Sequence, residues 1–139
     1  MNDHSSLEAA LGVEFRQKDL LTLALVHSSY INENPGAFDE SNERLEFLGD
    51  AVIGTAVAQE LYRRHAEWPE GQLTEARSEL VRGETLAEVA GRLALGDHLY
   101  MGRGEDAGGG RGRLSVLGAA LEALVGALFI DRGYDAANA

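Results

Sequence analysis

Apolar residues recur every three or four positions along most of the chain, which is the spacing that places them on one face of an α-helix. No stretch alternates apolar and polar residues in the manner of a half-buried strand. The pattern therefore predicts an all-α fold. The 139 residues are of the length of one domain, which we assign to residues 1–139, and that length is enough to bury a core without structural staples.

Glycines and polar clusters divide the pattern into separate helices. Ser5 and Glu8 form the S-x-x-E pattern of a capping box, which predicts a short helix that Gly12 ends. Turn residues predict a loop over 31–41, and a glycine-rich stretch predicts a flexible loop over 102–113. The other predicted helices cover residues 17–28, 40–64, 72–81, 84–94 and 115–131, and the last six residues resemble the first turn of another helix.

The composition is acidic, with 12 basic and 23 acidic residues and a net charge of −11. Such a balance argues against a nucleic-acid partner, because phosphate binding draws on Lys and Arg, but it equally suits a site that collects divalent cations. The absence of cysteine excludes disulfides and thiolate metal sites. The N-terminal residues lack the features of a signal peptide, and the apolar runs are far shorter than the roughly 20 residues of a membrane helix. We therefore expect a cytoplasmic protein without a membrane partner.

Three acids interrupt the otherwise apolar stretch NERLEFLGDAVIG, residues 42–54. On a helix that turns by about 100° per residue, Glu43, Glu46 and Asp50 share a face about 60° wide. Like charges at this spacing cost roughly 0.2–0.5 kcal/mol per pair on an open surface, whereas a cation such as Mg²⁺ bound between them reverses the sign. The core stripe of the same helix lies roughly opposite and comprises Leu45, Leu48, Val52 and Ala56.

A solvated acidic face explains the three carboxylates equally well. Phe47 and Gly49 favour a covered face, because an aromatic ring lies beside the acids and a glycine opens a space in mid-helix at a cost of about 1 kcal/mol relative to Ala. The covering surface is either a second subunit or a neighbouring helix of the same chain. The residue pattern leaves both interpretations open.

Glu122 is the second candidate acidic position, in the predicted helix 115–131. It lies among Gly118, Ala119 and Gly126, on a track of small residues that permits close approach of another helix. This track is away from the leucine stripe of the same helix, which comprises Leu117, Leu121, Leu124 and Leu128. A Glu on such a track is costly to bury unless it is paired or bound to a metal. It either completes a cluster with the first acidic helix or pairs with an arginine such as Arg44 or Arg77.

These segments resemble the ribonuclease III family of endoribonucleases, which cut double-stranded RNA. NERLEFLGDAVIG is similar to the signature of that family, and LALVHSSYINEN to its His-x-Ser-Tyr segment. The stretch from GQLTEARSEL to MGRGE resembles its middle helices, and LEALVGALFID its last conserved helix. The segments occur in the same order and cover nearly the whole chain.

The resemblance implies the all-helical ribonuclease III endonuclease-domain fold, a homodimer and Mg²⁺-dependent hydrolysis of double-stranded RNA, with Mn²⁺ as a substitute ion. It implies that Glu46, Asp50 and Glu122 are metal ligands and that Asp50 and Glu122 are catalytic. It places Glu43 in the RNA-binding valley, gives Glu105 a secondary role there, and makes Phe47 an apolar peg at the dimer interface. The family's separate C-terminal domain that binds double-stranded RNA has no counterpart in the sequence.

One position departs from the family pattern, which has an Asp three residues before its last catalytic Glu. The chain reads VLGAALEAL, so that position is Ala119. A methyl group cannot bind a cation, and changes around metal ligands already cost roughly 10–100-fold in affinity or activity. Three interpretations stay open: the activity is impaired, the substitution was introduced to hold a substrate uncut, or a water replaces the missing ligand.

Two other functions remain alternatives. A non-catalytic relative that binds or scaffolds structured RNA, as a ribosome-associated protein does, is consistent with Ala119. An all-α nucleotide pyrophosphohydrolase also sets Glu-x-x-Glu on facing helices around Mg²⁺. The four histidines lack zinc-site spacing, and His27 is interpreted as a structural hydrogen-bonding residue rather than a base.

Overall fold

The computed structural model of the protein describes residues 4–135. Within that range the chain forms α-helices and short 3₁₀ turns, and the only strand-like feature is an isolated bridge between Val26 and Tyr100. The all-α prediction is therefore confirmed. The helices are α1 (Ser5–Leu11), α2 (Lys18–Ala24), α3 (Ser28–Glu33), α4 (Glu43–Arg64), α5 (Glu70–Leu80), α6 (Gly83–Arg92), α7 (Arg103–Ala107) and α8 (Leu114–Arg132), with 3₁₀ turns at Leu95–His98 and Gly110–Gly112.

Helix α8 forms the centre of the fold, and α4, α6 and α2 pack around it. The predicted leucine stripe is buried, but so are the alanines and glycines between its members. The face of α8 that stays partly accessible carries Ala119, Glu122, Val125 and Phe129. The two positions that matter for the acidic site, Ala119 and Glu122, thus lie on the open side of the central helix.

Helix α8 is also long and apolar enough to cross a membrane by length and composition, contrary to the expectation from the sequence. In this structure 61% of its apolar window is buried inside the protein. A buried core helix can have the same length and apolar composition as a membrane span. The composition of α8 therefore reflects its central position among the other helices.

Two glycines bring α4 and α8 into backbone contact. A Cβ at Gly49 would lie 1.6 Å from the carbonyl oxygen of Glu122, and a Cβ at Gly126 would lie 2.3 Å from the carbonyl oxygen of Leu45. The predicted close approach along the small-residue track of α8 is confirmed. Gly49 does not open a space, as its position in mid-helix suggested, because the backbone of α8 fills it.

The predicted helix over 17–28 is interrupted. Helix α2 ends at Ala24, because the next residues pair with a distant segment: Tyr100 donates its N–H to the Leu25 carbonyl (2.8 Å), and His27 donates to the Tyr100 carbonyl (2.9 Å). Helix α3 then begins at Ser28 and extends to Glu33, so the loop predicted from residue 31 begins later. These hydrogen bonds join positions more than 70 residues apart, which no local pattern reveals.

The glycine-rich stretch 102–113, predicted as a flexible loop, contains α7 and a 3₁₀ turn. The Glu33 carboxylate accepts hydrogen bonds from the backbone N–H groups of Arg103 (2.8 Å) and Gly104 (3.0 Å). Arg111 donates to the carbonyls of Gly96 (2.9 Å) and Leu99 (2.7 Å). Hydrogen bonds with α3 and with residues 96–99 therefore hold this stretch in place.

The predicted capping box at the N-terminus is not formed. Helix α1 begins at Ser5 with His4 as the N-cap residue. The Glu8 carboxylate accepts instead from the backbone N–H of Phe15 (2.6 Å) and from Lys18 Nζ (2.7 Å). Gly12 ends α1 with φ of 74°, as predicted. The additional helix turn predicted over the last six residues falls largely outside the described residues, because residues 136–139 are not among them.

Candidate acidic site

The first two turns of α4 present the three acids of the signature stretch on the side away from the core. Leu45 and Val52 are buried, which confirms the predicted core stripe at those two positions, whereas Leu48 and Ala56 are only half-buried. Glu43 and Asp50 are exposed, and Glu46 is half-buried. The carboxylates therefore line an accessible surface rather than the interior.

The Glu122 carboxyl group lies within hydrogen-bonding reach of Asp50, across the α4–α8 contact. Partial burial, the hydrogen bond with Asp50 and the negative charges of Asp50 and Glu46 together raise the pKa of Glu122 to about 8. No basic side chain forms an ion pair with Glu122 among residues 4–135, so pairing with Arg44 or Arg77 is excluded as its explanation there. The fold therefore brings Glu122 of α8 next to the acids of α4.

Glu46 belongs to the same group of interacting acids. Partial burial raises its pKa, and the charges of Glu43 and Asp50 raise it further. We refer to Glu46, Asp50 and Glu122 as the acidic cluster. Asp50 opposes the ionisation of both Glu46 and Glu122, and Glu46 opposes that of Glu122, so the cluster concentrates negative charge that a bound cation would relieve.

The donor set of the acidic cluster fits a magnesium ion. Mg²⁺ usually keeps several waters and is held by one or two carboxylates, and Asp50 and Glu122 form such a pair. Within the part of the chain that the structure describes, no three acidic or histidine side chains stand close enough to enclose a cation. Ala119 contributes only a methyl group on the face of α8 where Glu122 also lies.

A cavity of about 220 Å³ adjoins the acidic cluster. It lies between the start of α3, the first turn of α4 and the first turns of α8, and its lining includes Glu46 and Ala119. The absence of a carboxylate at position 119 leaves this space next to Glu46 without an acidic group from α8. The polar residues that line it are His27, Ser28, Asn42, Glu43, Glu46 and Ser115.

Phe47 lies on the same helix as the acids, and 82% of its surface is exposed. The interpretation that a neighbouring helix of the same chain covers it is therefore wrong. A groove of about 670 Å³ runs beside it, and half of the surface of Ile130 is exposed at that groove. The other apolar residues of the groove are Leu20, Leu23, Leu45 and Leu48.

Glu105 lies apart from the acidic cluster. It is part of α7, where it forms an ion pair with Arg113, and it is not among the groups that raise the pKa of Glu46 or Glu122. Glu43 accepts a hydrogen bond from the Ser41 hydroxyl (2.8 Å) at the start of α4 and borders the cavity as well as the groove.

Asn42 is a residue of the site that the sequence analysis did not identify. It is buried, its side-chain N–H donates to the Ala24 carbonyl (2.9 Å), and its backbone N–H donates to the Val26 carbonyl (2.8 Å). These bonds tie the first turn of α4 to the end of α2. A polar residue directly before an amphipathic helix was the available signal, but it indicates only a helix start.

Known proteins share this fold and these segments. A family model described as Ribonuclease-III-like matches residues 17–139. The Ribonuclease 3 of Dehalococcoides mccartyi strain 195 is 49% identical over 136 residues, covering 98% of this chain and 57% of the relative. The Ribonuclease 3 of Streptomyces coelicolor is 47% identical over 137 residues, covering 99% of this chain and 49% of the relative.

A solved structure agrees with these matches. The nuclease domain of ribonuclease III from Campylobacter jejuni has a TM-score of 0.91 and 38% sequence identity, over 98% of this chain and 91% of that one. That structure was described for flexibility in a region involved in dimer formation. The fold is thus that of the nuclease domain of this relative.

The chain belongs to the ribonuclease-III-like family. It spans about half the length of the relatives named above.

Proposed function

We propose that this chain is a nuclease domain that hydrolyses phosphodiester bonds of double-stranded RNA with Mg²⁺, or with Mn²⁺ in its place. The observation that carries the proposal is the contact between Asp50 and Glu122 across the two longest helices, with Glu46 close enough to raise the pKa of Glu122. Family membership supports the same activity.

In this proposal the acidic cluster holds the metal ion and orients the reacting groups. When bound, a divalent cation lowers the pKa of a coordinated water and neutralises charge that builds on the phosphate. Glu46, Asp50 and Glu122 would hold the ion, and Asp50 and Glu122 would be the catalytic acids. The expected products carry a 5′-phosphate and a 3′-hydroxyl.

The acidic surface requires a source of affinity for RNA. Arg77 and Arg103 make no ion pair with another described residue, so both are available to phosphates. Double-stranded RNA is recognised mostly by shape and by contacts to 2′-hydroxyl and phosphate groups, so we expect weak sequence preference. Glu43, at the edge of the cluster, and Glu105 border the RNA path in this proposal.

Cleavage of a long RNA duplex tests the proposal. With Mg²⁺ or Mn²⁺, we expect slow cleavage by the chain as it stands and faster cleavage by Ala119→Asp, which restores a carboxylate beside Glu46. The increase should be about 10–100-fold, the range by which groups around a metal change activity. Absence of cleavage by both proteins would contradict the nuclease function.

A scaffold that binds structured RNA without cutting it is the second candidate, and Ala119 is the observation that favours it. In that case the chain binds the duplex in Mg²⁺, but neither it nor Ala119→Asp shortens the RNA. Hydrolysis of free nucleoside triphosphates would instead support the pyrophosphohydrolase alternative, which the family assignment argues against.

We also propose that the chain forms a homodimer through Phe47 and the groove beside it. The ring is almost fully exposed, and the groove offers leucine side chains and a half-exposed Ile130 at the same surface. A two-fold axis lets the Phe47 of each copy enter the groove of the other, because such an interface is self-complementary. The exposed ring is costly to leave in water but is covered in this arrangement.

A further inference from the structure

Two side chains of α3 hold the first turn of helix α7. The Glu33 carboxylate accepts the backbone N–H groups of Arg103 (2.8 Å) and Gly104 (3.0 Å). Ser29 Oγ accepts the backbone N–H of Gly102 (2.8 Å). The first N–H groups of a helix have no carbonyl partner within it, and here α3 supplies acceptors to three in a row. We refer to Ser29 and Glu33 as the α3 clamp.

Helix α7 depends on such bonds from outside for its position and its order. A Cβ at Gly102 would lie 2.6 Å from the Ser29 carbonyl oxygen and from Glu33 Oε2, so only glycine lets the two helices approach this closely. Helices shorter than about 12–15 residues are marginal in water on their own, and α7 has five residues. The α3 clamp holds its start, and Arg113 holds its end through an ion pair with Glu105.

Arg103 is the basic residue that this arrangement presents to solvent. It is exposed and makes no ion pair with another residue of the described range. Most basic side chains in that range are paired with acids, namely Lys18, Arg44, Arg63, Arg64, Arg82, Arg92, Arg111 and Arg113. In a chain with a net charge of −11, an exposed arginine outside these pairs is a distinctive feature.

Glu33 lies near Arg103 but does not pair with its side chain. The hydrogen bonds from Gly104 and Arg103, together with the positive charge of Arg103, lower the pKa of Glu33. One carboxylate oxygen accepts the N–H of Arg103 and the other that of Gly104, so both are bonded to the backbone of α7 rather than to the guanidinium group. The carboxylate therefore fixes the backbone of Arg103, and the guanidinium group keeps its donors for another partner.

We propose that Glu33 is a positioning residue for RNA: with Ser29 it fixes α7 on α3, so that Arg103 contacts a phosphate of the bound duplex. The inference rests on the proposed function, which supplies the RNA. An arginine matches phosphate oxygens with two parallel hydrogen bonds, and a fixed backbone reduces the conformational freedom that this contact removes. Glu33 acts through Arg103 and does not itself touch the RNA.

The sign of one substitution tests this inference. Removing an acid from a protein normally strengthens its binding to a polyanion, because repulsion decreases. Glu33→Ala should instead weaken it, because Arg103 loses its fixed position. Affinity for an RNA duplex is measured in Ca²⁺ over a range of KCl concentrations, with the RNA checked for integrity afterwards. We expect about 5–10-fold weaker binding at 50 mM salt and about 2–3-fold at 200 mM, the salt dependence of one lost phosphate contact.

Further variants show whether Glu33 acts through Arg103. Arg103→Ala should show the same loss, and the double variant with Glu33→Ala should bind no more weakly than Arg103→Ala alone, because both changes remove one contact. Glu33→Gln keeps an acceptor oxygen and should bind more tightly than Glu33→Ala. Asp39→Asn, an exposed acid between α3 and α4, is the matched control and should leave the affinity unchanged or raise it.

Hydrogen exchange of the free protein tests the α3 clamp without RNA. In Glu33→Ala the backbone N–H groups of Arg103 and Gly104 should exchange several-fold faster than in the wild type, because they lose their acceptor. Those of α8 should exchange as before, which also shows that the variant is folded. Unchanged exchange in α7 overturns the clamp.

The outcomes separate this inference from the nuclease function. An affinity that stays the same or rises in Glu33→Ala, or a double variant that adds the two losses, overturns the positioning role even if Mg²⁺-dependent cleavage is observed. A loss that depends on Arg103 supports the role even if the chain cuts no RNA. Failure of the wild type to bind the duplex overturns it as well.

Discussion

Glu122 combines two roles that are hard to reconcile without a cation. Its backbone carbonyl lies against Gly49 in the closest contact of α4 with α8, and its side chain lies beside Asp50. The helix contact therefore holds the two carboxylates together whether or not they repel each other. A divalent ion bound at the acidic cluster, as proposed above, would offset this electrostatic cost.

We predict that Glu122→Gln stabilises the metal-free protein but weakens its binding of metal ions. In EDTA near pH 7 the variant should melt at a higher temperature than the wild type, because Glu122 must take up a proton or stay charged beside Asp50 when the protein folds, whereas Gln does neither. It should lose the increase in melting temperature that Mg²⁺ gives the wild type, and cleavage should fall by more than about 100-fold, beyond the effect of changes around a ligand. Calorimetry with and without Mg²⁺ measures the first two effects.

Glu75→Gln is the matched control for this prediction, since Glu75 is exposed on α5 and away from the cluster. It should leave both the melting temperature in EDTA and the response to Mg²⁺ unchanged. If Glu122→Gln keeps the Mg²⁺ response of the wild type, Glu122 is not a ligand.

The sequence predicted the positions of some residues of the site and missed others. The helical spacing of Glu43, Glu46 and Asp50 was sufficient to predict their common face, because it depends only on local geometry. The cavity around Asn42 was not predictable, since it forms where three helices from distant parts of the chain meet. Ala119 was visible only as a departure from a family pattern.

At the scale of the elements, the contact between α4 and α8 depends on glycine. We predict that Gly49→Ala destabilises the protein by more than about 3 kcal/mol, the upper range of overpacking, because the new methyl group meets the backbone of α8 rather than a movable side chain. Gly54→Ala on the same helix is the control, since a Cβ there meets nothing within 4 Å. It should stabilise the protein by about 0.5–1 kcal/mol. Urea unfolding of both variants measures the difference, and equal effects would contradict the contact.

The ends of α8 and α2 are joined by Asp131, which is buried near the C-terminus of the central helix. Its carboxylate accepts the backbone N–H groups of Arg16 (2.8 Å) and Gln17 (2.9 Å) just before α2. Burial opposes the ionisation of Asp131, but these two hydrogen bonds and the charges of Arg16 and Arg132 outweigh it and lower its pKa. The carboxylate therefore binds the start of α2 in its charged form.

This arrangement predicts how stability depends on pH. A carboxyl group with a lowered pKa in the folded protein stabilises it above the ordinary value near 3.8, and that contribution is lost as the pH falls through the lower folded value. Asp131→Asn should cost roughly 1–3 kcal/mol at pH 7, the range for hydrogen bonds to a charged group, and much less near pH 2. Urea unfolding across this pH range tests it, with the exposed Asp97→Asn as a control that should show no such convergence.

The long helices were predictable from the sequence because each carries its own apolar periodicity. Helix α4 begins within a few residues of the prediction, and α8 within one. The break after α2 and the short α7 were missed for a common reason: backbone groups of one segment bond to a distant one, as at Leu25 and Glu33. Local propensity contains no information about such partners.

At the scale of the whole molecule, the exposed Phe47 predicts the oligomeric state. Phe47→Ser should convert the proposed dimer to a monomer, or weaken its association by at least about 30-fold, since burying a phenylalanine side chain contributes about 2–3 kcal/mol. Light scattering after size-exclusion chromatography, over a range of protein concentrations, measures the mass. The site of each copy should keep its Mg²⁺ response in the monomer.

Tyr62→Ser provides the comparison, because Tyr62 lies on the same helix and is 75% exposed. It should leave the mass at that of the dimer. A wild-type protein that is monomeric at all concentrations, or a Phe47→Ser variant that remains a dimer, would contradict the role of the groove.

The central position of α8 has a consequence for synthesis on the ribosome. Residues 114–132 emerge after every other described helix, yet α2, α4 and α6 all pack against them. Until translation has passed this segment, the earlier helices lack the surface that buries their leucines and are open to chaperones or to misassociation. The nascent chain should therefore acquire protease resistance in one late step, rather than gradually as it lengthens.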